Sequence, residues 1–101
     1  MLLSHNMEDK GLVSLYLSSN IVMSKYLPNL NELLVIFKSG DQYLYKEVDL
    51  VTFIDFEKAD SQGKFLNTVI KKNHVVEKQD KSMDVKPILE QIQVYKSTLS
   101  K

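Results

Sequence analysis

Glu32-Leu33-Leu34-Val35-Ile36-Phe37-Lys38-Ser39-Gly40-Asp41-Gln42-Tyr43-Leu44-Tyr45 is the stretch on which the fold turns. Its first six residues are rich in Leu, Val and Ile with almost no polar interruption, the pattern of a strand buried on both faces or close to it. Lys38-Ser39-Gly40-Asp41 then has the composition of a tight reversal, with Gly40 where a hairpin needs positive φ. The β pattern resumes at once in Tyr43-Leu44-Tyr45. Two adjacent antiparallel strands follow from these residues alone.

Working back toward the N-terminus, Pro28-Asn29-Leu30-Asn31 has turn composition. Before it, Val13, Leu15 and Leu17 alternate with Ser14, Tyr16 and Ser18, and β-leaning residues continue from Asn20 to Tyr26. This reads as one strand bent at Ser18-Ser19-Asn20, preceded by a leader that contains His5.

Working forward, Asp49 is a good N-cap, and Leu50, Phe53, Ile54 and the stem of Glu57 recur at helical spacing. Asp60-Ser61-Gln62-Gly63 breaks that helix and starts a second, with Phe65, Leu66, Val69 and Ile70 as its apolar series. His74 to Glu77 suits a short edge strand. Lys78 to Asp84 is charged and nearly free of apolar residues. Asp84 can cap a last helix with Pro87 in its first turn, and Ile88, Ile92, Tyr95 and Leu99 fall at steps of 4, 3 and 4. Such a stripe needs a partner, so self-association through these four residues is expected.

The expected architecture is α+β: a small three-stranded antiparallel sheet, two packed helices and a C-terminal amphipathic helix. Residues 1–16 are assigned to a leader and the start of the first strand, 17–78 to the domain, 79–86 to a charged linker and 87–101 to the last helix.

At 101 residues, 44% hydrophobic and 26% charged, the chain fits one small domain. Cysteine is absent, which removes disulfides and thiolate metal sites. The longest apolar run, Leu33 to Phe37, is far short of the roughly 20 residues that cross a bilayer, so no membrane partner is expected. Met1 to Lys10 has no basic region followed by an apolar one, and a cytoplasmic location is expected.

Thirteen lysines balance 13 carboxylates and arginine is missing. The halves differ: residues 1–56 hold 4 lysines against 7 acids, a balance of −3, and residues 57–101 hold 9 against 6, a balance of +3. That asymmetry can steer an anion or pair two subunits, and a solvated surface can carry it equally well.

Catalytic chemistry has little to work with. Ser61, His74 and Asp60 can be set beside one another on paper, but no ordered nucleophile motif supports them. No metal-ligand spacing and no Gly-rich phosphate loop occurs, so neither an enzyme nor a cofactor is expected.

Two features suit a binding role. The start of the second helix, with Ser61, Gly63 and Lys64 followed by Asn67 and Lys71, offers unpaired N–H groups and positive charge to a phosphate; ordinary capping is the competing reading. Tyr43 and Tyr45 stand on the same face of a strand, suited to stacking on a base or to covering a small core.

The ordered series Ser18-Ser19-Asn20-Ile21, Tyr26, Leu34-Val35-Ile36-Phe37-Lys38-Ser39-Gly40, Tyr43-Leu44-Tyr45, Val48, Phe53, Phe56, Ala59, Ser61-x-Gly63-x-Phe65-Leu66-Asn67, Ile70 and Lys71 resembles a KTSC domain over roughly residues 17–78. This small module is named for the carboxy-terminus of certain lysyl-tRNA synthetases and also stands alone. The chain departs from the pattern at Asp49, where proline is usual, at Lys25 in place of a glycine, and at His74 in place of an aromatic residue.

The resemblance implies a three-stranded antiparallel sheet with packed helices. RNA binding is the usual guess for the family, drawn from its attachment to a synthetase. Zero net charge and the lack of arginine argue against it here. The favoured expectation is a non-catalytic binder of a small nucleotide or other phosphorylated ligand, working as a homo-oligomer and sequestering a signalling nucleotide as some small phage proteins do. RNA binding and docking onto a partner protein through the last helix are the alternatives.

Overall fold

The computed structural model describes residues 1–8 and 11–99, the side chain of Leu99 excepted. Its strands are β1 (Leu2–Glu8), β2 (Gly11–Tyr16), β3 (Ile21–Leu27), β4 (Glu32–Phe37), β5 (Gln42–Tyr45) and β6 (Val76–Lys78). They form one antiparallel sheet in chain order. Between β5 and β6 lie α1 (Leu50–Lys58) and a second helical run: α2 (Gln62–Phe65), a π turn (Leu66–Ile70) and α3 (Lys71–Asn73). α4 (Lys86–Leu99) follows β6.

The fold is therefore α+β as expected, but the three-stranded sheet is not: the sheet has six strands. Ser18-Ser19-Asn20 is no bend in one strand but the turn between β2 and β3, where the Ser18 hydroxyl accepts from the Asn20 and Ile21 amides. The supposed leader is β1, paired with β2 from Leu2 opposite Tyr16 to Glu8 opposite Gly11. None of its residues is fully buried on either face, so Leu2–Glu8 shows no regular alternation to betray it.

The hairpin of β4 and β5 forms as its sequence dictates, Leu34 opposite Leu44 and Val35 opposite Tyr43. Gly40 has φ +96°, and the Met83 backbone lies so close that a Cβ on Gly40 would sit 2.6 Å from the Met83 carbonyl oxygen. Asn31, in the turn before β4, also takes positive φ, which asparagine tolerates.

β4 is buried on both faces because helices cover both. On one face Tyr16, Ile21, Tyr26, Leu33, Val35 and Tyr45 pack with Phe53 and Phe56 of α1 and with Leu66 and Ile70. The Tyr26 and Phe53 rings stack at 4.4 Å, and the Tyr26 hydroxyl donates to the Val48 carbonyl at 2.8 Å. On the other face Leu15, Val22 and Ile36 meet Ile92, with Ile88, Leu89 and Tyr95 packed alongside. The register of β3 against β4 shifts between Ile21 and Met23. This bulge lets Ile21 and Tyr26, an odd number of residues apart, reach the same core.

The stripe on α4 thus finds a partner within the chain. Ile92 is only 8% exposed against the sheet, and Ile88 and Tyr95 flank it. The side chain of Leu99 lies outside the described residues. The charged segment before α4 is tied to the β4–β5 hairpin: the Met83 amide donates to the Gly40 carbonyl at 2.8 Å and the Gln42 side-chain amide to the Lys81 carbonyl at 3.1 Å.

The expected caps are present. Asp49 accepts from the Thr52 amide at 2.8 Å and Ser61 from the Lys64 amide at 3.3 Å. Gln62, fully buried, donates to the Ala59 and Glu57 carbonyls and so satisfies the end of α1. No helix among the described residues is long and apolar enough to cross a membrane.

Candidate functional site

A cleft of ≈ 400 Å³ opens where the β4–β5 hairpin faces the π turn. β5 contributes Tyr43 and Tyr45; the helical run contributes Asn67, within the π turn, and Lys71 just after it. Lys38, Ser39 and Asp41 come from the hairpin tip, and Asn20 from the turn between β2 and β3. Phe37 and Val76 form its apolar wall. Four of the seven ligand residues expected from the sequence therefore meet in one place.

The other three do not join them. Ser61 and Lys64 line a separate depression with Asp60 and Thr68. There the Ser61 hydroxyl is engaged in capping, and Lys64 is the one cationic side chain against the Asp60 carboxylate. Gly63 lines neither depression, and a Cβ added to it would meet nothing within 4 Å. Close packing of helix on sheet therefore does not require this glycine.

The tyrosine pair is not an open stacking platform. Tyr45 is 3% exposed, its side chain part of the core. The Tyr43 ring meets Phe37 edge-on at 5.4 Å, and the Lys78 ammonium lies 5.9 Å from its centroid. What Tyr45 offers is a polar tip. Burial, with Tyr43 beside it, pushes its phenol up to about 12, so it keeps its proton at neutral pH. Its hydroxyl makes no hydrogen bond within the described residues.

Charge in the cleft is uneven. Neither Lys38 nor Lys71 has an ion-pair partner among the described residues. Asp41 accepts a hydrogen bond from the Ser39 hydroxyl at 3.2 Å. Two ammonium groups, one carboxylate, two carboxamides and three hydroxyls line this volume, so cationic and neutral donors outnumber its one anionic group.

The π turn helps shape this wall. The Lys71 amide reaches back to the Leu66 carbonyl, and the Thr68 hydroxyl donates to the Lys64 carbonyl at 2.7 Å. Such widened turns recur at functional sites. Sequence reasoning missed Asn20, Lys38, Ser39 and Asp41 as site residues because each was accounted for by a turn. The signal was nevertheless present, since Asn20, Lys38 and Ser39 belong to the series that carries the family resemblance.

A second polar cluster lies under β1. The Glu57 carboxylate, 7% exposed, accepts from the Ser14 hydroxyl at 2.5 Å and pairs with His5 Nδ1 at 2.7 Å. Ser14 is fully buried, so no substrate reaches its hydroxyl. The cluster ties β1 and β2 to α1. Among the described residues no group of histidines and carboxylates is arranged to hold a metal ion.

The geometry defines a small α+β domain with a polar cleft at one end of its sheet. Residues 17–74 match the KTSC domain model, and the chain belongs to that family. The fold is similar to the crystal structure of a KTSC domain protein from Yersinia pestis, with TM-score 0.63 and 28% identity over 66% of this chain and 94% of that one. No curated protein sequence matches the chain. The matched span holds β3, β4, β5 and the first two helical runs, whereas β1, β2, β6 and α4 fall outside it. The three strands expected from the sequence thus fall short of the six in the sheet, whose second face is covered by α4.

Proposed function

We propose that this protein is a non-catalytic binding module for a small phosphorylated ligand, a nucleotide among the candidates, held in the cleft between the β4–β5 hairpin and the π turn. The observation that carries the reading is the pair of lysines, Lys38 and Lys71, that share the cleft without a carboxylate partner among the described residues. Unpaired ammonium groups in a concave, partly apolar site favour an anion there, and hydroxyl and carboxamide donors around them suit phosphate oxygens. A volume of ≈ 400 Å³ suits a mononucleotide better than a polynucleotide. Recognition in this reading rests on the polar groups and the Phe37 wall rather than on stacking between tyrosines.

Titration calorimetry of the full chain with AMP and with pyrophosphate tests the reading. Binding is expected to weaken about tenfold in Lys38→Ala and again in Lys71→Ala, as loss of one charge-assisted contact implies. Thermal melts should stay close to wild type, because neither side chain supports the fold through an ion pair. Absence of binding of either probe at millimolar concentration, or affinities unmoved by both substitutions, overturns it.

A further inference from the structure

Asp41 is an odd member of a cleft suited to anions. It lies at the tip of the β4–β5 hairpin and lines the same volume as Lys38 and Lys71, yet it forms no ion pair with either. Its carboxylate is thus in direct contact with neither ammonium group. It is held in place: the Asp41 amide donates to the Ser39 hydroxyl at 3.3 Å, that hydroxyl donates back to Asp41 Oδ2 at 3.2 Å, and the Asp41 carbonyl accepts from the Phe37 amide at 2.9 Å. The bond from Met83 to Gly40 anchors the same tip. The Oδ1 atom makes no hydrogen bond within the described residues.

An ionised carboxylate accepts hydrogen bonds and donates none. Fixed beside an anion site, it repels a ligand made only of acceptor oxygens and favours one that brings hydroxyl donors along with its charge. We infer that Asp41 selects, among anions that enter the cleft, phosphorylated sugars bearing adjacent free hydroxyls, the ribose of a nucleoside monophosphate being the model case. The phosphate is taken up by Lys38 and Lys71, and the hydroxyl pair donates to Asp41. This rests on the phosphorylated-ligand reading above and adds to it the feature that discriminates one phosphorylated compound from another.

The full chain and its Asp41→Asn variant are titrated with AMP, 2′,3′-dideoxy-AMP and pyrophosphate, with Asp41→Ser as a second neutral variant and circular-dichroism melts as the check on folding. Wild type is expected to bind AMP about tenfold more tightly than the dideoxy compound, the scale of a hydrogen bond to a charged group. Both variants should reduce that preference to about twofold or less and bind pyrophosphate more tightly than wild type does. Equal binding of AMP and its dideoxy analogue by wild type, or a preference that survives in folded Asp41→Asn and Asp41→Ser, overturns the inference while leaving the anion site standing. Failure of all three probes to bind overturns the site and the inference together.

Discussion

Replacing Gly40 by alanine tests how the hairpin, the cleft and the last helix are joined. Gly40 has φ +96°, a conformation that costs a residue with a Cβ about 1–2 kcal/mol. The added carbon would also stand 2.6 Å from the Met83 carbonyl oxygen, closer than such atoms approach. Because the obstacle is backbone, relief requires Met83 to retreat, which breaks the 2.8 Å bond from its amide to the Gly40 carbonyl at a further cost of about 1 kcal/mol. The substitution should therefore destabilise the protein by about 2–3 kcal/mol, a large share of the roughly 5–15 kcal/mol that a small domain has. Gly63→Ala is the matched control, since nothing lies within 4 Å of the new carbon and helix propensity favours alanine by up to about 1 kcal/mol. Urea denaturation of the two variants beside wild type measures both. A Gly40→Ala midpoint indistinguishable from wild type, or one no lower than that of Gly63→Ala, would refute the account of this turn.

Glu57→Ala should cost about 2–3 kcal/mol in the same assay, because it leaves the buried Ser14 hydroxyl without its acceptor and frees His5 on β1; hydrogen exchange should show β1 losing protection first, and uniform protection loss would contradict its role as a tie. Ile92→Ala should cost about 2–4 kcal/mol, as for a large aliphatic residue removed from a core, and a value near zero would mean that α4 does not cover the sheet. Alkaline pH should unfold the protein through its buried phenols. Burial raises Tyr45 from 10 to about 12, and Tyr16 and Tyr26 are raised too, so this contribution is fully present below pH 10 and is lost as pH climbs through 12. Urea midpoints should fall across that window, less steeply in Tyr45→Phe; a flat profile from pH 10 to pH 12 counts against the buried phenols.

The parts of the fold that could be read from the residues are those where local chemistry and tertiary context agree. Leu33 to Ile36 needs burial on both sides and receives it from helices on both sides. Gly40 supplies the positive φ its turn requires, and Asp49 caps the helix it precedes. The six-stranded sheet was less legible at its edges, where only β6 is anticipated, as an edge strand over His74 to Glu77. β1 buries none of its residues fully and so carries no alternating pattern, which makes it read as a leader. The bulge in β3 hid the strand boundary as well, since it breaks the alternation by which Ile21 to Tyr26 would have been read as a separate element.

The amphipathic stripe of α4 shows why the site was harder to read than the fold. Ile88, Ile92 and Tyr95 demand an apolar partner, but nothing in their spacing distinguishes a second subunit from the back of the chain's own sheet. The cleft poses the same problem with polar residues. Ser61 and Lys64 adjoin Asn67 and Lys71 in sequence, yet the helical run turns the first pair toward one depression and the second toward another, and Gly63 toward neither. Lys38, Ser39 and Asp41 line one cleft with Lys71 only because the sheet brings the hairpin tip against the π turn, a juxtaposition across thirty or more residues that no local pattern encodes. A turn residue and a ligand-binding residue have the same composition, Ser, Asn, Asp or Lys on a surface loop. Telling them apart takes the other wall of the cleft, and here that wall is Asn67 and Lys71.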